Sequence, residues 1–184
     1  MPILRQIAQL GQPVLRETAL PVADPADPVL QSLIGDMLVT MTEADGVGIA
    51  APQVHESLAL FIVASHPNPR YPSAPAMEPL VMINPEIVCV SAETETGWEG
   101  CLSVPGLRGP VPRAQSVRVR YIDRNGVSCE ESYTGFVARI VQHEYDHIHG
   151  MVFIDRLTST RDLVTEKEYQ RIISSAIVTG GDNR

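Results

Sequence analysis

Two histidines four residues apart, His143 and His147, with Glu144 beside the first, constrain this chain more than any other feature. On a helix, positions i and i+4 project from one face, one turn apart. The run HEYDH therefore offers two imidazoles to one metal ion, while Glu144 can reach a water on that ion. The surrounding spacing agrees with a helix over 135–150. Phe136, Ile140, His143 and His147 fall on one side of it, and Gly150 stops it.

A metal needs a third ligand, and several residues compete for the place. Six residues past His147 stands Phe153, which excludes the zinc-protease class that carries a third histidine there. His149 lies about 200° around the helix from His147 and points away, as a surface or capping histidine. Glu166 and Glu168 lie near the spacing at which another protease class supplies a glutamate. Cys101, in EGCLS (99–103), offers a thiolate, a strong and soft ligand, with Gly100 beside it allowing close backbone approach. Cys89 and Cys129 read as small buried hydrophobes, because each sits in an extended, partly apolar run.

The bulk of the chain sets limits around this motif. Its 184 residues, 44% of them hydrophobic, suit a single catalytic domain over 1–184 with one sizeable core. Three cysteines do not make a disulfide framework. No apolar run approaches the roughly 18 residues of a membrane span, and the first residues lack the pattern of a signal peptide. A cytoplasmic location without membrane contact is expected. The net charge of -8 argues against broad nucleic-acid binding.

Along the chain, Pro13, Pro21, Pro25 and Pro28 keep the first 28 residues in loops or a short strand. Leu30, Leu33, Ile34, Met37, Leu38 and Met41 then form the apolar stripe of an amphipathic helix ending near Asp45-Gly46. Residues 46–53 read as a loop, 58–64 as a buried strand, 65–79 as a proline-rich surface loop, and 80–90 as a strand interrupted at Pro85. Residues 91–115 mix short extended pieces with turns. The alternating strand 116–123 and its return 127–133 flank Asn125-Gly126, a strong hairpin signal. A final helix is placed at about 160–177. The fold class is α+β, with mostly antiparallel sheets packed around a central metal-binding helix.

Three segments, GVGIAAPQ (46–53), EGCLS (99–103) and QHEYDH (142–147), resemble the three motifs of peptide deformylases, in the same order. The flanks PVLRETALPV (13–22), GLRGPVPR (106–113) and HGMVFIDRL (149–157) agree, so the resemblance covers roughly residues 3–158. Ile49 stands where the family more often has leucine, a volume-conserving change. The resemblance implies removal of the formyl group from the N-terminal methionine of nascent proteins, with release of formate. It implies Cys101, His143 and His147 as ligands, Glu144 as general acid/base toward a metal-bound water, and Gln53 with the backbone N–H of Leu102 as the oxyanion contact. Without the resemblance, Gln53 reads as a surface loop glutamine. It further implies iron(II) as the native metal, with zinc, nickel or cobalt as substitutes. The partners implied are formyl-methionyl peptides, nascent chains and the ribosome, although residues 159–184 carry four basic and four acidic side chains and no evident RNA-binding patch.

The chemistry stands beside the resemblance. A formamide carbonyl is a poor electrophile and neutral water a poor nucleophile. A metal ion corrects both, and three protein ligands leave a fourth position open. GVGIAA also spells a dinucleotide-binding pattern, but it follows a helix and precedes a strand, the reverse of the order that pattern needs. Gly46, Val47, Gly48 and Ile49 are instead expected to pair with an extended peptide. Val47, Phe136 and Ile140 are candidates for an apolar pocket that takes methionine. Glu99 is expected to pair with Arg113, and Asp146 or Gln142 to orient a ligand histidine. The rival readings are an endopeptidase with a downstream glutamate ligand and a structural Cys/His metal site.

Overall fold

The structure, a computed structural model, describes residues 1–68 and 71–180, with side chains through 175. Helix α1 (Pro28–Glu43) starts where the stop-and-start signals are strongest: the Asp27 side chain accepts the Val29 N–H and Pro28 occupies the first turn. Its stripe of Leu30, Leu33, Ile34, Met37 and Met41 is buried as the periodicity requires.

That stripe packs on one face of a five-stranded antiparallel sheet. The sheet contains β1 (Gly48–Ala50), β2 (Leu60–Val63), β3 (Leu80–Val90), β6 (Ser116–Ile122) and β7 (Ser128–Thr134), in the order β1-β2-β3-β6-β7. The other face is covered by α2 (Gly135–His147). Alternate side chains of β2 serve the two layers. Leu60 and Ile62 join the α1 core, while Phe61 and Val63 join the α2 core. Burial on both faces explains why this strand reads as an unbroken apolar run.

A second antiparallel sheet contains β4 (Thr94–Cys101), β5 (Val104–Ala114) and the short β8 (Val164–Thr165), which precedes α3 (Glu166–Gly180). Cys101 pairs with Val104 across the tip of the β4–β5 hairpin. Beneath this hairpin Cys101, Val104, Val111, Val152 and Phe153 form a separate small core. The α2 helix thus lies between two sheets, each supplying one wall of the space it faces.

Four sequence expectations are corrected. Residues 91–115 are not broken pieces but most of a long hairpin, hidden because Pro105, Pro110 and Pro112 lie within β5. Segment 46–53 is not all loop: β1 pairs with β2, and residues 51–54 form a 3₁₀ turn. The expected break at Pro85 is a register shift within a continuous β3, with Asn84 at φ 50°. Cys89 is exposed and Cys129 half-buried, so neither is a core residue.

The helix expected at about 160–177 begins later, at Glu166, after a 3₁₀ turn at Thr160–Asp162 and β8. Asn125-Gly126 does lie in the β6–β7 connection, inside a longer loop in which Asp123 accepts the N–H groups of Asn125 and Val127, both at 2.8 Å. Gly150, at φ 71°, ends the α2 region. A Cβ there would approach the Arg16 backbone to 2.7 Å, so no other residue fits.

Candidate metal centre

Helix α2 carries His143 and His147 one turn apart toward the β4–β5 hairpin, and the hairpin tip brings Cys101 to meet them. One donor atom from each of Cys101, His143 and His147 lies within 4.8 Å of the other two. The Cys101 Sγ and His147 Nε2 are 3.2 Å apart. The His143 and His147 rings are set nearly edge-on, at 74°.

The surroundings orient this set. The Glu99 carboxylate accepts from His143 Nδ1 at 2.9 Å, which leaves Nε2 facing the other donors. Glu99 is in turn gripped by Arg113 through two bonds of 2.9 Å and by Arg139 at 2.9 Å. The expected Glu99–Arg113 pair is present. Asp146 and Gln142 do not orient a histidine. Asp146 is buried between Arg113 and Arg156, and Gln142 hydrogen-bonds the backbone of Ala114 in β5. Asp146 and Gln142 looked suited to that role because helical neighbours are visible in one dimension. Glu99 arrives from a different strand.

Electrostatics follow from this arrangement. Burial would push Glu99 up, but hydrogen bonds from His143 and Arg113 outweigh it and hold the carboxyl well below its usual range. Burial would also neutralise His143. Its bonds with the Cys101 sulfur and Glu99 win instead and hold it well above the ordinary histidine value. His147 is pushed well below that value by burial and by the charge of His143.

Glu144 projects beside the two histidines and is buried, which raises its carboxyl to about 7. Its Oε2, like His147 Nδ1, has no hydrogen-bond partner among the described residues. One soft thiolate, two imidazoles and an adjacent unpaired carboxylate oxygen fit a first-row divalent cation with an open coordination position.

Gln53 is not a surface residue. It is buried in the 3₁₀ turn after β1, where its Oε1 accepts the Ala50 N–H at 2.8 Å. Its Nε2 donates to Cys101 Sγ at 3.4 Å and to Ser103 Oγ at 3.2 Å. The Ser103 N–H also donates to the sulfur, at 3.3 Å.

An open cleft leads to this cluster. Gly46, Val47, Gly48, Gln53, Cys101, Leu102, Phe136, Ile140, His143 and Glu144, all singled out in the sequence, line it. Ile49 does not. Its side chain is fully buried in the α1 core, so only its backbone, paired in register with Ile62 of β2, belongs to the cleft region. Tyr71, from the proline-rich loop, and Arg139 line the cleft and were missed. Nothing local marks Tyr71, whereas Arg139 shares the helical face of Phe136 and His143.

The residues offered as rival ligands are engaged elsewhere. Glu166 pairs with Arg108 at 2.7 Å and Glu168 with Arg171 at 2.6 Å. His149 is exposed, with Nδ1 against the Tyr145 carbonyl at 2.8 Å, as expected of a surface histidine. Phe153 stacks at 17° on the His143 ring.

Residues 4–162 match the family described as polypeptide deformylase. The chain is 55% identical over 173 residues to a protein named peptide deformylase 2 from Nostoc sp., covering 94% of this chain and 97% of that protein. It is 52% identical over 150 residues to a Shewanella oneidensis protein of the same name, covering 82% of each. Among solved structures, a class I type b peptide deformylase from Acinetobacter baumannii with Met-Ala-Ser bound matches at a TM-score of 0.83. That match has 48% identity and covers 85% of this chain and all of that one (100%). Peptide deformylase from Thermotoga maritima matches at a TM-score of 0.76, with 38% identity, covering 85% and 99%.

Proposed function

The chain belongs to the polypeptide deformylase family, enzymes that hydrolyse the N-formyl group of nascent polypeptides, and on that premise we propose how its own residues divide the work. Cys101, His143 and His147 hold the cation, Glu144 moves the proton, and Gln53 with the Leu102 N–H receives the oxyanion. The single observation that carries this reading is the convergence of the Cys101 sulfur with both imidazoles beside a buried, unpaired Glu144 oxygen.

A divalent cation in this position supplies Lewis acidity, polarising a carbonyl and bringing the pKa of water toward ~7. Glu144 takes the proton from the attacking water and returns it to the departing amine. A carboxyl raised to about 7 by burial is matched to both tasks. As negative charge grows on the former formyl oxygen, Gln53 Nε2 donates to it, and a donor of this kind contributes ~3 kcal/mol. Gln53 is ready to do so because its Oε1 is pinned by the Ala50 N–H.

The peptide lies extended along the free edge of β1, at Gly46–Gly48, opposite Gly100 of β4, so backbone pairing holds it independently of sequence. The methionine side chain enters the apolar lining of Val47, Phe136 and Ile140. Gly48 is required for clearance, because a Cβ there would collide with the Glu144 carboxylate.

The substrates are formyl-methionyl peptides and nascent chains, met in the cytoplasm at the ribosome. No described helix is long and apolar enough to cross a membrane. Iron(II) is proposed as the native ion, with zinc, nickel or cobalt able to occupy the same donors.

The test is formate release from formyl-Met-Ala-Ser by anaerobically prepared protein loaded in turn with each ion. Turnover with iron(II), and loss of both bound metal and turnover in Cys101→Ser, is expected. Absence of turnover with every ion, or full metal retention in Cys101→Ser, refutes the assignment.

A further inference from the structure

Arg108, on β5, is the largest fully buried side chain of the described residues, yet it is neither a ligand nor a cleft-lining residue. Its guanidinium binds two parts of the molecule, the loop that carries Tyr71 and helix α3. Nη1 donates to the Tyr71 hydroxyl at 2.7 Å, and Nε donates to Glu166 of α3 at 2.7 Å. Its central carbon lies 5.1 Å from the ring centres of both Tyr71 and Tyr169, in cation–π range. It also passes directly beneath Gly100, where a Cβ would come within 2.9 Å of it.

Of the side chains that Arg108 contacts, Tyr71 is the one in the cleft lining. It packs on Phe136, with ring centres 5.0 Å apart. The loop that carries it is stitched by short-range bonds: Tyr71 N–H to Asn68 Oδ1 at 2.9 Å and Ser65 Oγ to the Pro75 carbonyl at 2.6 Å. None of these fixes the Tyr71 ring. The bond from Arg108 and the contact with Phe136 do.

We propose that Arg108 is a positioning residue that holds Tyr71 as a wall of the peptide cleft and ties that wall to the first turn of α3, so that the C-terminal helix sets peptide affinity. The proposal rests on the reading that this cleft takes the formyl-methionyl peptide. Tyr71 shapes the cleft away from the water-activating groups. Its displacement therefore changes KM, while kcat, which depends on Glu144 and the ligand cluster, stays within about twofold.

The test measures kcat and KM separately for formyl-Met-Ala-Ser in Tyr71→Phe, Glu166→Gln and the double variant. Tyr71→Phe keeps the ring and removes only the acceptor. A bond to a charged donor is lost, so KM should rise about three- to tenfold. Glu166→Gln should raise KM in the same range although Glu166 does not line the catalytic cleft. Because both act through one guanidinium, the double variant should match the larger single effect. Trp98, which packs on Tyr169 with ring centres 5.3 Å apart and planes tilted by 54°, reports by its emission that α3 stays docked in each variant.

Multiplied effects in the double variant overturn the proposal, as does an unchanged KM in either single variant or a loss confined to kcat. Turnover by the unsubstituted enzyme tests the underlying reading separately.

Discussion

Replacing Gly48 with alanine places one methyl group against the Glu144 carboxylate, whose atoms are the nearest ones to the new carbon. Gly48 is not among the positive-φ glycines, so alanine meets no backbone strain. The new Cβ would overlap Glu144 Oε1 and come within 2.9 Å of its Cδ and Cγ. Restoring ordinary contact at 3.4 Å moves the carboxylate carbon by about half an ångström and its nearer oxygen by about 1 Å. Glu144 is buried, so the movement forces an off-rotamer side chain at a cost of ~1 kcal/mol. The entropic gain of glycine to alanine offsets most of that, at ~0.4–1 kcal/mol. Melting temperature should then stay within about 4 °C of the parent.

Catalysis has no such offset, because a misplacement of this size costs about 10- to 100-fold in kcat. The assay is formate release at saturating formyl-Met-Ala-Ser, with metal content and melting temperature measured on the same preparation. A parental kcat would show that Glu144 is not confined as described. A loss of activity accompanied by loss of metal or of fold would equally refute the reasoning.

Glu144→Gln should keep its metal and its fold while kcat falls by about 10²–10⁴, the usual contribution of a positioned proton carrier; metal loss in this variant would argue for a ligand role instead. Glu99→Gln leaves Arg113 and Arg139 facing a neutral partner in a buried setting. It should lower stability by ~3 kcal/mol and weaken metal binding about 10- to 100-fold in a chelator competition. Asp36, buried on α1, is held below its ordinary value of 3.8 by the Ile3 N–H and by Arg5. A depressed folded-state value stabilises the fold above 3.8, and the effect is lost as pH falls through the lower folded value. Asp36→Asn should therefore melt earlier than the parent near neutral pH, and the gap should close in acid.

The reading of the chain divides along a physical line. The α1 stripe, the HEYDH face and the β6–β7 hairpin are written in local spacing. Helical and strand periods place nearby residues on shared faces without any knowledge of the rest of the fold. The three motifs also pointed to Cys101, His143 and His147, whose donor atoms converge in the structure, because their order survives in one dimension. Long-range contacts were the harder part. Glu99, and not Asp146 or Gln142, orients His143, and Gln53 is buried against the Cys101 sulfur. Cys89 and Cys129 lie outside the core, and Ile49 turns its side chain away from the cleft. The prolines of β5 masked a strand whose pairing partner alone reveals it. Tyr71, Arg108 and Glu166 are separated by dozens of residues and carry no shared pattern, yet they meet around one guanidinium. Periodicity records which face a side chain takes, whereas the partner waiting on that face is supplied by other segments, and only packing brings those segments together.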